Sequence, residues 1–220
     1  MNQRSIRTVL FDLDGTLADT APDLAYALNR VRQEKGLHDL PFDSIRPVVS
    51  HGGMALIKQG FDIETEHPEF NHLYRRLLDI YHENICRETN LFPGMGEVLD
   101  NIETRGLNWG VVTNKPAWLT EPLLDALNLI ERATTIVSGD TLEQRKPHPA
   151  PMLLACEQAG SQAEQCLYIG DAERDIEAGH NAHMHTLVAL FGYIGDNDSP
   201  ENWGADGVIN TPLDILKWIA

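Results

Sequence analysis

Residues 8–16 read Thr-Val-Leu-Phe-Asp-Leu-Asp-Gly-Thr, an apolar run that stops abruptly on two carboxylates. The run before Asp12 predicts a buried β-strand over residues 8–12, because it is short, continuous and rich in strand-forming residues. Gly15 then permits a sharp turn whose backbone amides can face an anion. Asp12 and Asp14, two positions apart after a buried strand, could converge on one metal ion. The stretch therefore predicts a strand that ends at a polar site.

Similar apolar runs recur along most of the chain and alternate with segments of helical spacing. Strands are predicted at 109–113, 134–137, 166–169, 186–190 and 208–209, with the last two toward one edge. Amphipathic helices are predicted at 95–104, 119–127, 151–159 and 174–182. This alternation indicates an α/β fold built on a doubly wound parallel sheet. In such sheets ligands bind beyond the carboxyl ends of the strands.

Residues 18–90 interrupt this alternation. They show helical stripes, such as Leu24, Leu28 and Val31, but no convincing strand. An all-helical block between the first two strands of the sheet predicts an inserted α-helical cap domain. We therefore expect a core formed by residues 1–17 and 91–220, and a cap formed by residues 18–90.

Composition limits the partners of this chain. Its net charge is −16, which disfavours binding to nucleic acid or to anionic membranes. A phosphate site would therefore need local positive charge, which a metal ion and one or two lysines would supply. Residues 1–8 are polar and no apolar stretch approaches the ~20 residues of a membrane span, so we expect a cytoplasmic protein. The oligomeric state is left open.

Polar clusters follow four of the predicted strands and loops. They are Asp12 with Asp14, then 113–115 (Thr-Asn-Lys), then Lys146 before a proline, then Gly170-Asp171 with Asp175. Together they offer carboxylates, a hydroxyl and lysines at one edge of the sheet. Mg²⁺ suits such a set because it prefers oxygen ligands and keeps water and phosphate oxygens in its coordination shell. Zinc would favour histidine or cysteine.

This set of motifs resembles the haloacid dehalogenase superfamily of phosphohydrolases, and the resemblance covers nearly the whole chain. The segment Asp12-Leu13-Asp14-Gly15-Thr16 is the most specific part of it. The insertion between the first and second motifs resembles the helical cap of the phosphoglycolate phosphatase group. An acid two residues after the nucleophile argues for phosphate esters rather than halides, because a halide leaves without a proton.

The resemblance implies a role for each matching residue. Asp12 would be the nucleophile that becomes an aspartyl phosphate, and Asp14 would protonate the leaving alcohol and then deprotonate water. Thr113 and Lys146 would complete the catalytic set. Mg²⁺ would be held by Asp12, the backbone carbonyl of Asp14 and Asp171, with Asp175 as a further ligand or a support; Asp175 could also simply be a first-turn helix acid. The implied phosphate- or substrate-binding residues are Gly15, Thr16, Asn114 and Lys115.

A closer likeness rests on residues 110–116 (Gly-Val-Val-Thr-Asn-Lys-Pro), 192–194 (Gly-Tyr-Ile) and 202–206 (Asn-Trp-Gly-Ala-Asp). These resemble bacterial N-acetylmuramic acid 6-phosphate phosphatases of peptidoglycan recycling. In the cap, the segment Ser50-His51-Gly52-Gly53 resembles a loop that reads the substrate, although a helix N-terminus with Ser50 as N-cap is an equal alternative.

Other functions stay open at this point. Phosphoglycolate, a small carboxylate-bearing ester, is an alternative substrate, and a sugar phosphomutase of the same superfamily is an alternative enzyme. A phospho-acceptor switch protein would use a similar aspartate, Mg²⁺, threonine and lysine, but such domains are shorter and lack a helical insertion. In every case the expected partner is a small phosphorylated metabolite or a phosphoryl group.

Overall fold

The computed structural model describes residues 6–196 and 198–219 and has a six-stranded parallel sheet in the order β5-β4-β1-β6-β7-β8. The strands are β1 (Thr8–Phe11), β4 (Asn108–Val112), β5 (Thr135–Val137), β6 (Cys166–Gly170), β7 (His185–Ala189) and β8 (Gly207–Ile209). Two shorter strands, β2 (Ala18–Asp19) and β3 (Asn90–Leu91), form a separate antiparallel pair. The predicted doubly wound α/β fold is confirmed, and β7 and β8 lie at one edge as expected.

Strand β1 lies at the centre of the sheet because it pairs in parallel with β4 on one side and β6 on the other. All four of its residues are fully buried. Val9 and Phe11 join the larger apolar cluster on one face, whereas Leu10 joins the smaller cluster on the other. Side chains alternate between the faces of a strand, so a strand covered on both faces is apolar throughout. This is why β1 shows no polar alternation in the sequence.

Helices cover the sheet and begin near its carboxyl edge. They are α5 (Met95–Thr104), α6 (Ala117–Ala126), α7 (Ala150–Gln158) and α8 (Glu173–Asn181). These bounds agree with the predicted helices to within two residues. Short 3₁₀ helices lie at Ala163–Gln165, Pro200–Asn202 and Pro212–Lys217.

The segment between β2 and β3 is helical, as predicted for a cap. It contains α1 (Ala21–Glu34), α2 (Phe42–Ile45), a 3₁₀ turn (Arg46–His51), α3 (Gly52–Phe61) and α4 (Phe70–Glu83). Helices α1, α3 and α4 pack together. Leu28 of α1 lies so close to Gly60 of α3 that a Cβ added to Gly60 would be 2.6 Å from Leu28 Cδ1. The expectation that this block contains no strand is wrong at its ends, where Ala18 pairs with Leu91 and Asp19 with Asn90. Two-residue strands are too short to show a periodic pattern. The domain limits themselves stay a prediction.

Within the part of the chain that the structure describes, no helix combines the length and apolar character that crossing a bilayer requires.

Candidate functional site

Three buried carboxylates meet at the carboxyl edge of the sheet. Asp12 follows β1, Asp171 follows β6, and Asp175 lies in the first turn of α8. One oxygen from each lies within 4.8 Å of the others, and the three residues are 5%, 1% and 0% exposed. An all-oxygen set of this kind suits a hard cation such as Mg²⁺, so the residues present fit the metal that the sequence predicts.

Three glycines allow the backbone to approach these carboxylates closely. At Gly15, whose φ is +82°, an added Cβ would lie 2.2 Å from Asp171 Oδ2. At Gly170 an added Cβ would lie 2.3 Å from the Cβ of Asp175, and at Gly192 it would lie 2.4 Å from the Cβ of Asp171. Since real Cβ atoms never approach so closely, any larger residue would displace the acids. The predicted turn at Gly15 is confirmed.

Lys146 places its ammonium group between two of the acids. Its Nζ lies 2.9 Å from Asp12 Oδ1 and donates to Asp175 Oδ1 at 2.8 Å and to the Tyr168 hydroxyl at 2.8 Å. The side chain is almost completely buried. Burial opposes the charged form, but the attraction of Asp12 and Asp175 outweighs it and raises the pKa of Lys146. The ammonium therefore stays charged and holds the two carboxylates together.

Asn114 fixes the position of Lys146 rather than facing the carboxylates. Its side-chain amide donates to the Lys146 carbonyl at 3.1 Å and accepts from the Lys146 N–H at 3.0 Å. The phosphate- or substrate-binding role that the resemblance implied for Asn114 stays a prediction. Thr113 is buried at the end of β4, and its hydroxyl accepts the N–H of Lys115 at 3.1 Å. The loop after β4 thus supports the site through its own internal hydrogen bonds.

Asp171 accepts hydrogen bonds at both oxygens. Thr16 Oγ1 donates to Oδ1 at 3.2 Å, while Ser50 Oγ and the Tyr193 N–H donate to Oδ2 at 2.6 Å and 2.9 Å. Burial, together with repulsion from Asp12 and Asp175, nevertheless raises the pKa of Asp171 to about 7. Burial also raises the pKa of Asp12, although the neighbouring Lys146 acts in the opposite direction. A bound divalent cation would favour the ionised form of both acids.

Asp14 lies apart from the three clustered carboxylates, and its side chain is turned toward the cap. Its Oδ1 accepts from the Thr20 hydroxyl at 2.6 Å and from Lys115 Nζ at 2.7 Å. Lys115 also donates to the hydroxyl of Tyr81, a buried residue of α4, at 2.9 Å. Asp14 and Lys115 are thus brought together as an ion pair where the core meets the cap. The role of the Asp14 backbone carbonyl as a metal ligand stays a prediction.

Asp175 serves α8 and the carboxylate cluster at the same time. Its Oδ2 accepts the N–H of Ala172 at 3.1 Å, which satisfies one of the free amides at the start of the helix. Its Oδ1 meets Lys146, as described above. Asp175 is thus a first-turn acid of the helix, and its role as a metal ligand or support stays a prediction.

The cap segment 50–53 reaches the core through one of its residues. Ser50 lies in the 3₁₀ turn and His51 is the residue before α3, so the alternative in which Ser50 caps that helix is wrong. Ser50 is buried against Asp171, whereas His51 and Gly52 are exposed. Ser50 and His51 line a cleft of about 220 Å³ together with Asp171, Arg174 and Tyr193. Gly53 is half-buried beside Tyr74 of α4.

Three residues of the site were not singled out from the sequence. Tyr168 bridges Lys146 and the Val112 carbonyl, Tyr193 donates its hydroxyl hydrogen to Asp19 at 2.8 Å, and Arg174 donates to the Ser50 carbonyl. Arg174 lies between the motif residues Asp171 and Asp175, and Tyr193 lies in the segment 192–194 that carries the closer likeness. Their neighbours in sequence could therefore have indicated both residues. Tyr168 lies inside a buried strand, where an aromatic residue indicates only packing.

A family model described as "Haloacid dehalogenase-like hydrolase" matches residues 9–189 of this chain. The chain belongs to the haloacid dehalogenase-like hydrolases. The matched region includes all four motifs. The fold and relatives of this hydrolase indicate a phosphatase, an enzyme that cleaves phosphoric monoesters.

Named relatives align with this hydrolase over almost its full length. It is 40% identical over 214 residues to an N-acetylmuramic acid 6-phosphate phosphatase of Pseudomonas putida, covering 97% of this chain and 96% of the relative. It is 41% identical over 217 residues to a phosphoglycolate phosphatase of Xanthomonas campestris pv. campestris, covering 96% and 95%. A crystal structure from Haemophilus somnus 129pt, described as a predicted phosphoglycolate phosphatase, is 29% identical with a TM-score of 0.86 and covers 99% of both chains.

Proposed function

We propose that this hydrolase is a Mg²⁺-dependent phosphatase that cleaves N-acetylmuramic acid 6-phosphate in the cytoplasm, as a step of peptidoglycan recycling. The chemistry rests on one observation: buried Asp12 lies 2.9 Å from the ammonium of Lys146, within a cluster of three carboxylates. The choice of substrate is supported by relatives of that name that are about 40% identical over nearly the whole chain.

Asp12 is the proposed nucleophile. It follows the central strand, and its Oδ1 accepts the N–H of Leu13 at 2.7 Å as well as facing Lys146, so its orientation is fixed. Attack by a carboxylate oxygen on phosphorus would form an aspartyl phosphate and release the alcohol. Lys146 favours the ionised carboxylate and would offset charge on the phosphoryl oxygens. Most of the catalytic effect would come from this fixed arrangement of charge.

Asp14 is the proposed acid and base. It lies two residues after the nucleophile, and its Oδ1 contacts Lys115 and Thr20, which supports a position beside the departing alcohol. In its protonated form it would give a proton to that alcohol, and as a carboxylate it would then take a proton from the water that hydrolyses the aspartyl phosphate, which restores the acid. Lys115 and Thr20, which contact its Oδ1, would hold the carboxyl group in place between the two steps.

Asp12, Asp171 and Asp175, with the backbone carbonyl of Asp14, are the residues that would hold Mg²⁺. When bound, the ion supplies positive charge against the phosphoryl oxygens. Asp171 is oriented for this by three donors, and Asp175 by Lys146 and the start of α8. Such outer contacts determine how well a carboxylate binds its metal.

A side-by-side rate comparison tests the proposal. Purified protein with Mg²⁺ is given N-acetylmuramic acid 6-phosphate, phosphoglycolate or common hexose phosphates, and released phosphate is measured. We expect the first substrate to have the highest kcat/KM, and Asp12→Asn to abolish release while remaining folded. Appreciable Mg²⁺-dependent activity in Asp12→Asn would refute the assignment of the nucleophile.

Phosphoglycolate is the second candidate substrate, because relatives of that name are as similar as the first group. A higher kcat/KM for phosphoglycolate would replace the proposed substrate and leave the chemistry intact. An isomerised sugar phosphate without free phosphate would instead indicate a mutase. An aspartyl phosphate lasting minutes, with no turnover of any ester, would indicate a phospho-acceptor switch.

A further inference from the structure

The 3₁₀ turn Arg46–His51 of the cap contacts a carboxylate of the core. Ser50 is 8% exposed, and its hydroxyl donates to Asp171 Oδ2 at 2.6 Å. When its carboxylate acceptor is ionised, a hydroxyl hydrogen bond of this length is among the stronger ones in proteins. A residue of the cap thus touches one of the three acids that the core provides.

A second hydrogen bond connects the same two elements in the opposite direction. The guanidinium group of Arg174, at the start of α8, donates to the backbone carbonyl of Ser50. Arg174 lies between Asp171 and Asp175 in sequence, so it belongs to the same segment of the core as these two acids. Ser50 is therefore held at its hydroxyl by Asp171 and at its carbonyl by Arg174.

We propose that Ser50 is a positioning residue for the metal-binding carboxylate Asp171, and that Arg174 holds Ser50 in place for this role. The inference rests on the proposed Mg²⁺ site. It predicts that the cap contributes to metal affinity, although the expected metal ligands all belong to the core.

The contacts of Asp171 explain why Ser50 matters more than its single hydrogen bond suggests. The other two donors, the Thr16 hydroxyl and the Tyr193 N–H, come from the loops that follow β1 and β7. Ser50 is the donor to Asp171 that belongs to the helical segment between β2 and β3. A displacement of the 3₁₀ turn would break this contact and leave the other two intact. The affinity of Asp171 for a cation would then depend on whether the turn is docked.

Thermodynamic linkage makes this dependence reciprocal. If a docked turn strengthens Mg²⁺ binding, then bound Mg²⁺ must favour the docked turn by the same factor. The metal would therefore help to hold residues 46–51 over the site before any substrate binds. This second consequence can be measured without an activity assay.

The first experiment measures Mg²⁺ binding by isothermal titration calorimetry at pH 8 without substrate. Ser50→Ala removes the hydroxyl and should weaken Mg²⁺ binding about tenfold or more, the range seen when outer-shell partners of a metal ligand are removed. Ser50→Thr keeps a hydroxyl and should retain most of the affinity. Ser44→Ala is the matched control, because Ser44 is an exposed cap serine whose hydroxyl bonds only locally, to the Pro41 carbonyl.

The second experiment measures hydrogen exchange in residues 46–51 with and without Mg²⁺. Mg²⁺ should slow exchange in the wild-type protein and have little effect in Ser50→Ala. Arg174→Gln should reduce both the protection and the Mg²⁺ affinity, since it releases the Ser50 carbonyl. Arg76→Gln, which removes an exposed cap arginine paired with Glu34, should change neither.

The outcomes separate the two proposals. Tight binding by the wild type with clearly weaker binding by Ser50→Ala supports the positioning role. Equal or tighter binding by Ser50→Ala, or Mg²⁺ protection that persists in that variant, overturns the positioning role and leaves the phosphatase proposal standing. If the wild type itself does not bind Mg²⁺, the proposed metal dependence fails, and the positioning role fails with it.

Discussion

The titration of Asp171 leads to a specific prediction for the metal-free protein. A carboxyl group whose pKa rises on folding makes the folded state bind more protons than the unfolded state. Stability must then fall as pH rises, which is the opposite of the behaviour of a salt-bridged carboxylate. For Asp171 the folded pKa is about 7 and the reference value is 3.8, so the loss begins near pH 4 and is largely complete by pH 7.

The two pKa values set the size of the effect. At pH 5 the unfolded state has already lost most of the Asp171 proton, and at pH 7 the folded state has lost about half of it. Integrating the linkage relation between these values gives a decrease of roughly 2 kcal/mol in the free energy of unfolding. At neutral pH, Mg²⁺ at about 100 times its Kd would raise the free energy of unfolding by about 2.7 kcal/mol, because it binds the folded state.

Urea unfolding in the presence of a chelator, at pH 5 and at pH 7, measures this change. Asp171→Asn is the control, since an amide at this position cannot titrate, and its one oxygen can still accept from Ser50 and from the Tyr193 N–H, which both donate to Oδ2. Histidines also titrate in this range, so the informative quantity is the wild-type change minus the variant change. A wild-type protein equally stable at both pH values, or an Asp171→Asn variant with the same loss, would refute the reasoning.

Three further predictions concern the site and the sheet. Asp14→Asn should lower kcat on alkyl phosphates by about 10²–10⁴-fold, because their alcohols need a proton to leave. The same variant should give a burst of p-nitrophenol from p-nitrophenyl phosphate, since that group leaves without a proton while phosphorylated Asp12 accumulates. Steady release of p-nitrophenol at the wild-type rate would contradict this. Lys146→Met should destabilise the metal-free protein by about 3–5 kcal/mol in urea unfolding, because two buried carboxylates lose their cation; a change under 1 kcal/mol would argue against the ion pairs. Gly110→Ala should lower the free energy of unfolding by about 1–3 kcal/mol through overpacking, since its Cβ would lie 2.3 Å from Thr135 Cγ2. An unchanged thermal midpoint would contradict this and would mean that β5 can shift to make room.

The motifs of the core could be placed from the sequence because their positions follow from local rules. A buried strand is apolar throughout, and the carboxyl ends of parallel strands share one edge of the sheet. Asp12 and Asp171 each follow such a strand, so their proximity was predictable once the strands were recognised. The turn at Gly15 follows similarly from the freedom of glycine at positive φ.

The partners of those motif residues could not be predicted in the same way. The amide of Asn114 faces the Lys146 backbone, and Lys115 pairs with Asp14, across separations of 32 and 101 residues. Either side chain would equally suit a phosphate, so residue type alone did not distinguish the two roles. Only the packing of neighbouring loops decided which group each one meets.

Sequence alone determined the α/β core, the helical insertion and the residues that form the carboxylate cluster, because periodicity and strand-end position are local properties of the chain. Tertiary structure decided how the cap meets that cluster. The contact between Ser50 and Asp171 joins residues 121 positions apart in different elements, and it depends on how the helices between β2 and β3 pack over the sheet. No local pattern encodes that orientation, since it is set by the sum of many long-range contacts.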